Sequence, residues 1–81
     1  MILHTLVQRL NRPWLTNEWN AYINARQLYE QDLSDSDKRF DYLYASDILL
    51  TTLKQLRSSG LITPEEYNTA RRQIMEADNV Y

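Results

Sequence analysis

A single glycine and two prolines punctuate 81 residues. A small β-sandwich or barrel needs turn residues at every corner, roughly every 8–12 residues, so Pro13, Gly60 and Pro64 are too few for one. Long helices joined at few corners are favoured instead. At this length the chain has room for one domain, residues 1–81, with one modest core. Its 43% hydrophobic and 25% charged residues suit a folded globular chain rather than a disordered one.

Apolar spacing divides the chain into helices. Ile2, Leu3, Leu6, Val7 and Leu10 fall on one stripe of a short N-terminal helix, which Asn11-Arg12-Pro13 ends. Thr16 is the expected N-cap of a second helix over about residues 17 to 32, carrying Leu15, Trp19, Tyr22, Tyr29 and Leu33 on its inner stripe. The Ser and Asp residues between Leu33 and Asp37 mark the next break, with Ser34 or Ser36 expected as the following cap. A third helix, about residues 37 to 59, bears Tyr42, Ala45, Leu49, Leu53 and Leu56 on one stripe. Phe40, Leu43, Tyr44, Ile48 and Leu50 widen that stripe, so this helix is expected at the centre, touched from several sides. Gly60 stands where a left-handed C-terminal residue belongs.

The next junction carries four agreeing signals. With Thr63 as N-cap, Pro64 takes the first helical position, Glu66 completes a capping box, and Ile62 staples against Tyr67. Tyr67, Ala70, Ile74, Ala77 and Tyr81 then form a narrow seam for packing against Leu49, Leu53 and Leu56. The expected fold is therefore all-α: a small bundle of three main helices plus a short N-terminal one, ending in an antiparallel helical hairpin.

The residues Leu53-Lys54-Gln55-Leu56-Arg57-Ser58-Ser59-Gly60-Leu61-Ile62-Thr63-Pro64-Glu65-Glu66-Tyr67, followed by Arg71-Arg72-Gln73-Ile74, resemble the short C-terminal (SHOCT-type) helical hairpin of bacterial proteins. The shared pattern is a leucine pair, a glycine, an apolar residue, Ile-Thr, two acids and an aromatic, then a basic, apolar helix. This resemblance implies an interaction or oligomerisation module of bacterial or mobile-element origin and brings no catalytic residues. The first half of the chain, including Trp14 and Trp19, resembles no recognised family.

Several chemistries are poorly provided for. His4 is the lone histidine and there is no cysteine, so both favoured transition-metal ligands are scarce and no disulfide staples the core. Asp32, Asp35, Asp37 and Asp41 cluster, yet a calcium loop starting at Asp35 would put Phe40 where glycine is needed and Ser46 where a bidentate Glu belongs. No serine stands in a Gly-flanked elbow, and no Gly-rich loop is available to cradle phosphate. Asp47, beside an apolar surface, needs a partner such as Arg26 or an exposed position. No catalytic residue, metal, cofactor or small-molecule substrate is expected. Ile2 to Leu10 is interrupted by polar residues and is neither a secretory nor a membrane-spanning segment, so a cytoplasmic location and no membrane partner are expected.

With nine Lys plus Arg against eleven Asp plus Glu, the net charge of −2 gives no bulk attraction to phosphates. The aromatic surplus points elsewhere. Trp19 is assigned to the core, while Trp14, Tyr22, Tyr29, Tyr44 and Tyr81 are the expected protein-binding residues, because aromatics are favoured at interface hot spots. The function expected is a non-enzymatic interaction module of bacterial or phage type, an adaptor or inhibitor that binds a protein partner or self-associates. The alternative is a nucleic-acid-associated accessory protein contacting phosphates through Arg57, Asn68, Arg71 and Arg72.

Overall fold

A computed structural model describes the backbone of residues 2–80 and the side chains of residues 2–75. Four helices follow one another: α1 (Ile2–Leu10), α2 (Pro13–Gln31), α3 (Ser36–Ser58) and α4 (Pro64–Val80), with no strand among the described residues. The fold is an all-α small bundle. α2 and α3 form a long antiparallel hairpin, α4 turns back along α3, and α1 bridges α2 and α4.

The boundaries follow local chemistry. Asn11 ends α1 at φ +49, a left-handed conformation that asparagine tolerates. α2 begins earlier than residue 17, because Arg12 is extended and Pro13 occupies the first helical turn; Thr16 therefore lies inside the helix and is not its cap. Neither Ser34 nor Ser36 caps α3. Asp35 does, its carboxylate accepting from the backbone N–H groups of Asp37 at 2.9 Å and Lys38 at 3.3 Å. Gly60 takes φ +78 between α3 and α4, as its place in the sequence requires. The capping box forms in full: the Thr63 N–H donates to Glu66 and the Glu66 N–H donates to the Thr63 hydroxyl, both at 3.0 Å.

The core is one cluster drawn from all four helices. Leu3 and Leu6 of α1, Leu15 and Trp19 of α2, Leu49, Leu53 and Leu56 of α3, Ile62, and Ala70 and Ile74 of α4 are all buried. Through its centre runs a train of rings: Trp19 against Tyr22 at 5.8 Å, Tyr22 against Tyr42 at 5.8 Å, and Tyr42 against Tyr29 at 5.6 Å. Each such pair adds about 0.5–1.5 kcal/mol beyond the area it buries. Tyr22 and Tyr29 are thus corrected from surface candidates to core residues, 0% and 3% exposed. The reason is register: with Leu15 and Trp19 they fall at spacings of four, three and seven residues, all on the inner stripe of α2.

α3 is not covered on every side. α2 and α4 pack against it, but α1 packs on α2 and α4 instead. Phe40, Leu43, Tyr44 and Ile48 consequently stay exposed. The continuation of the α4 seam through Ala77 and Tyr81 lies outside the described side chains.

Candidate functional site

The helical repeat gives α2 and α3 a second stripe each, on the side of their seam away from the aromatic train. On α2 this stripe holds Glu18, Ala21, Ala25 and Leu28; on α3 it holds Asp41, Tyr44, Ala45 and Ile48. The alanines leave the two helices without bulky side chains here, and a groove of about 410 Å³ opens between them. Its walls are the three alanines, Ile48 and Tyr44, and it is open to solvent along its length. A drug-sized ligand would leave much of its surface wet in such a trough, since small-molecule sites enclose most of their ligand.

One wall ends in an aromatic pair. Phe40 and Tyr44, one turn apart, stack nearly parallel with centroids 6.4 Å apart and an interplanar angle of 8°. They are 67% and 61% exposed, which is much apolar ring surface to leave in water. Trp14, at the start of α2, is also half exposed. Of the expected binding residues, then, Trp14 and Tyr44 are at the surface, Tyr22 and Tyr29 are internal, and Tyr81 lies outside the described residues. By sequence, Phe40 and Ile48 merely widen the apolar stripe of α3. Their spacing of four residues on either side of Tyr44 was the available signal that all three share a face.

The charged residues sort differently. Asp47 is exposed on α3 and Arg26 bonds Glu30 at 2.9 Å, so the two do not pair with each other. Arg57 lies over the Tyr67 ring, 4.4 Å from its centroid, and serves the α3–α4 contact. Asn68, Arg71 and Arg72 are exposed together on α4, one turn apart. His4 is exposed, and among the described residues no group of three or more His, Asp or Glu side chains is placed to hold a metal ion. No helix among them is long and apolar enough to cross a membrane.

A clip joins the two ends of the chain behind the hairpin. The Arg9 guanidinium donates two hydrogen bonds to Glu66, at 2.6 and 3.1 Å, fastening α1 to the first turn of α4. These bonds, with the Thr63 N–H as the next contributor, lower the Glu66 carboxyl from its ordinary 4.5 to about 2; Glu66 in turn raises the Arg9 pKa. One carboxylate therefore caps α4 and anchors α1.

These observations define a class: a four-helix all-α domain closed by a capped helical hairpin, with an open groove on its α2–α3 side. The hairpin has a family counterpart. Residues 49–75 match the family model SHOCT, Short C-terminal domain. The match spans a third of the chain and covers the end of α3, the Gly60 turn and most of α4. It leaves α1, α2 and most of the groove outside. No curated protein and no solved structure matches the chain.

Proposed function

We propose that this chain is a non-enzymatic protein-interaction module of the bacterial or phage type, acting as an adaptor or an inhibitor, in the cytoplasm. The observation that carries the reading is the exposed ring pair Phe40–Tyr44, continued by Ile48 along one face of α3. Such rings are enriched where proteins bind proteins, because they bury large area at little conformational cost. The SHOCT segment agrees with an interaction role but does not itself supply this face. The hairpin matched by the family model is occupied internally, with Leu53, Leu56, Ala70 and Ile74 in the core.

The nucleic-acid alternative rests on Asn68, Arg71 and Arg72, which share an exposed stretch of α4. Glu65 occupies the first turn of that helix and opposes phosphate approach, while the charge of Glu66 beside it is already met by Arg9.

Light scattering of the full chain over a concentration series tests self-association first. A mass near twice 9.7 kDa, lost in the double variant Phe40→Ala, Tyr44→Ala, would identify the face as a homodimer seam. If the chain is a monomer, photo-crosslinking from position 40 in the native host must yield a protein adduct that position 72 does not. Nucleic-acid adducts from position 72, with none from position 40, would overturn the reading in favour of the alternative.

A further inference from the structure

The α2–α3 groove is more than an uncovered apolar strip, because its rim has a sign. Asp41 and Glu18 line the same trough as Ala21, Ala25, Ala45 and Ile48, and Asp47 joins Glu18 where the trough continues toward Gln55. None of these three carboxylates has a basic partner among the described residues. Glu18 is the most telling, since its Oε2 atom is buried with no hydrogen-bond partner. A carboxylate held in such an apolar trough is complementary to a cationic donor. Basic residues stand only at its two ends: Lys38, 3.9 Å from Asp32 across the α2–α3 turn, and Lys54, on the hollow that adjoins Gln55.

Length and shape add a second constraint. Shared lining residues connect the trough from Lys38 to Gln55 of α3, 18 residues whose steps span about 25 Å of helix. An open trough of that length, lined by alanines between two helices, has the form that receives the apolar stripe of another helix. A second copy of this chain is disfavoured as the occupant. A two-fold contact would place the acidic rim of Glu18, Asp41 and Asp47 on both sides of one seam, and the apolar residues of α1 and of α4 through Ile74 already pack in the core.

We infer that the α2–α3 groove binds an amphipathic helix of a different protein, with its apolar stripe seated on Ala21, Ala25, Ala45 and Ile48 and Lys or Arg flanks meeting Glu18, Asp41 and Asp47. The inference rests on the interaction reading above and specifies the chemistry of the partner. Tyr44, stacked on Phe40, is the wall against which such a helix leans.

The test is a selection from a displayed library of randomised peptides of about 18 residues, long enough to span the trough as a helix, against the full chain. The enriched sequences are then synthesised and their binding followed by fluorescence anisotropy. The expected winners are net basic, with apolar residues at i, i+3, i+4 and i+7. Their binding should vanish on Ala21→Arg, which fills the trough from an exposed position, and independently on Ile48→Lys. It should weaken at least about fivefold on Glu18→Gln with Asp41→Asn, and lose its salt dependence. Circular dichroism confirms that each variant remains helical. Winners that are neutral or acidic overturn the assigned chemistry. Winners that bind Ala21→Arg and Ile48→Lys unchanged overturn the groove while leaving an interaction module intact. A selection with no winner overturns the inference, and cross-linking from position 40 then decides the interaction reading on its own.

Discussion

Tyr42 and Tyr44 stand two residues apart on α3 and meet opposite environments. Tyr42 is 1% exposed, packed between the rings of Tyr22 and Tyr29, whereas Tyr44 is 61% exposed and touches mainly its neighbour Phe40. Tyr42 heads the series Tyr42, Ser46, Leu49, Leu53 and Leu56, which α2 and α4 cover. Tyr44 belongs to Phe40, Tyr44 and Ile48, which no other helix of the bundle covers. The difference teaches that residue type is a poor guide to place in an aromatic-rich helical chain. What decides is whether the helical repeat aligns a residue with a stripe that has a partner element.

The sharpest way to break this comparison is to truncate both rings. Tyr42→Ala should destabilise the domain by about 3–5 kcal/mol, because it leaves a cavity in the core between the rings of Tyr22 and Tyr29. Tyr44→Ala should change stability by no more than about 0.5 kcal/mol, since its ring is mostly in water already. Urea denaturation followed by circular dichroism measures both. Equal losses would mean that the two faces are not energetically distinct.

The covered face depends on the turn that brings α4 back along α3. Gly60 holds φ +78, and a Cβ there would meet no atom within 4 Å, so backbone conformation alone is at stake. Gly60→Ala should therefore cost about 1–2 kcal/mol, the penalty of a left-handed residue with a side chain. A loss near zero, read from the same denaturation curves, would indicate that the hairpin accommodates another turn. A smaller effect is expected at the other end of α3. Asp35→Ala removes the side chain bonding the Asp37 and Lys38 N–H groups and should cost about 1 kcal/mol. Since Asp35 caps the hairpin that frames the groove, amide exchange should quicken over Ser36–Phe40 more than over the SHOCT segment.

The C-terminal hairpin was the most legible part of the chain because its signals are local. Thr63, Pro64, Glu66 and Gly60 each act on backbone groups within a few residues, so spacing alone decides what they do. The start of α2 departs from its sequence expectation for a related reason: Thr16 is a good cap in isolation, but Pro13 at the first turn already sets the helix running. The groove was not legible. Ala21, Ala25 and Ala45 become informative only when α2 and α3 lie side by side, and periodicity does not reveal which flank of a helix lacks a neighbour. Tyr29 shows the same limit from the other side, since its burial requires Tyr42 on a different helix.

The smallest effect expected concerns the clip that holds α1 over the covered face. Glu66 both caps α4 and accepts two bonds from Arg9, and Gln at its position can keep the capping box while abolishing the charge. The Glu66 carboxyl is lowered in the folded chain, to about 2 from an ordinary 4.5. A lowered carboxyl stabilises the fold above its unfolded value and loses that contribution as pH falls toward its folded one. The Tm difference between wild type and Glu66→Gln should thus be constant from about pH 7 to 5, narrow below about 4.5 and nearly vanish near pH 2. It should also shrink in high salt, because both groups are in contact with water and such pairs are screened. A difference near zero at every pH would mean that α1 is held by Leu3, Leu6 and Val7 alone and that Glu66 acts only as a cap. The covered face would then owe its closure to apolar packing, and the distinction from the open groove would reduce to which stripe α1 and α4 happen to fill.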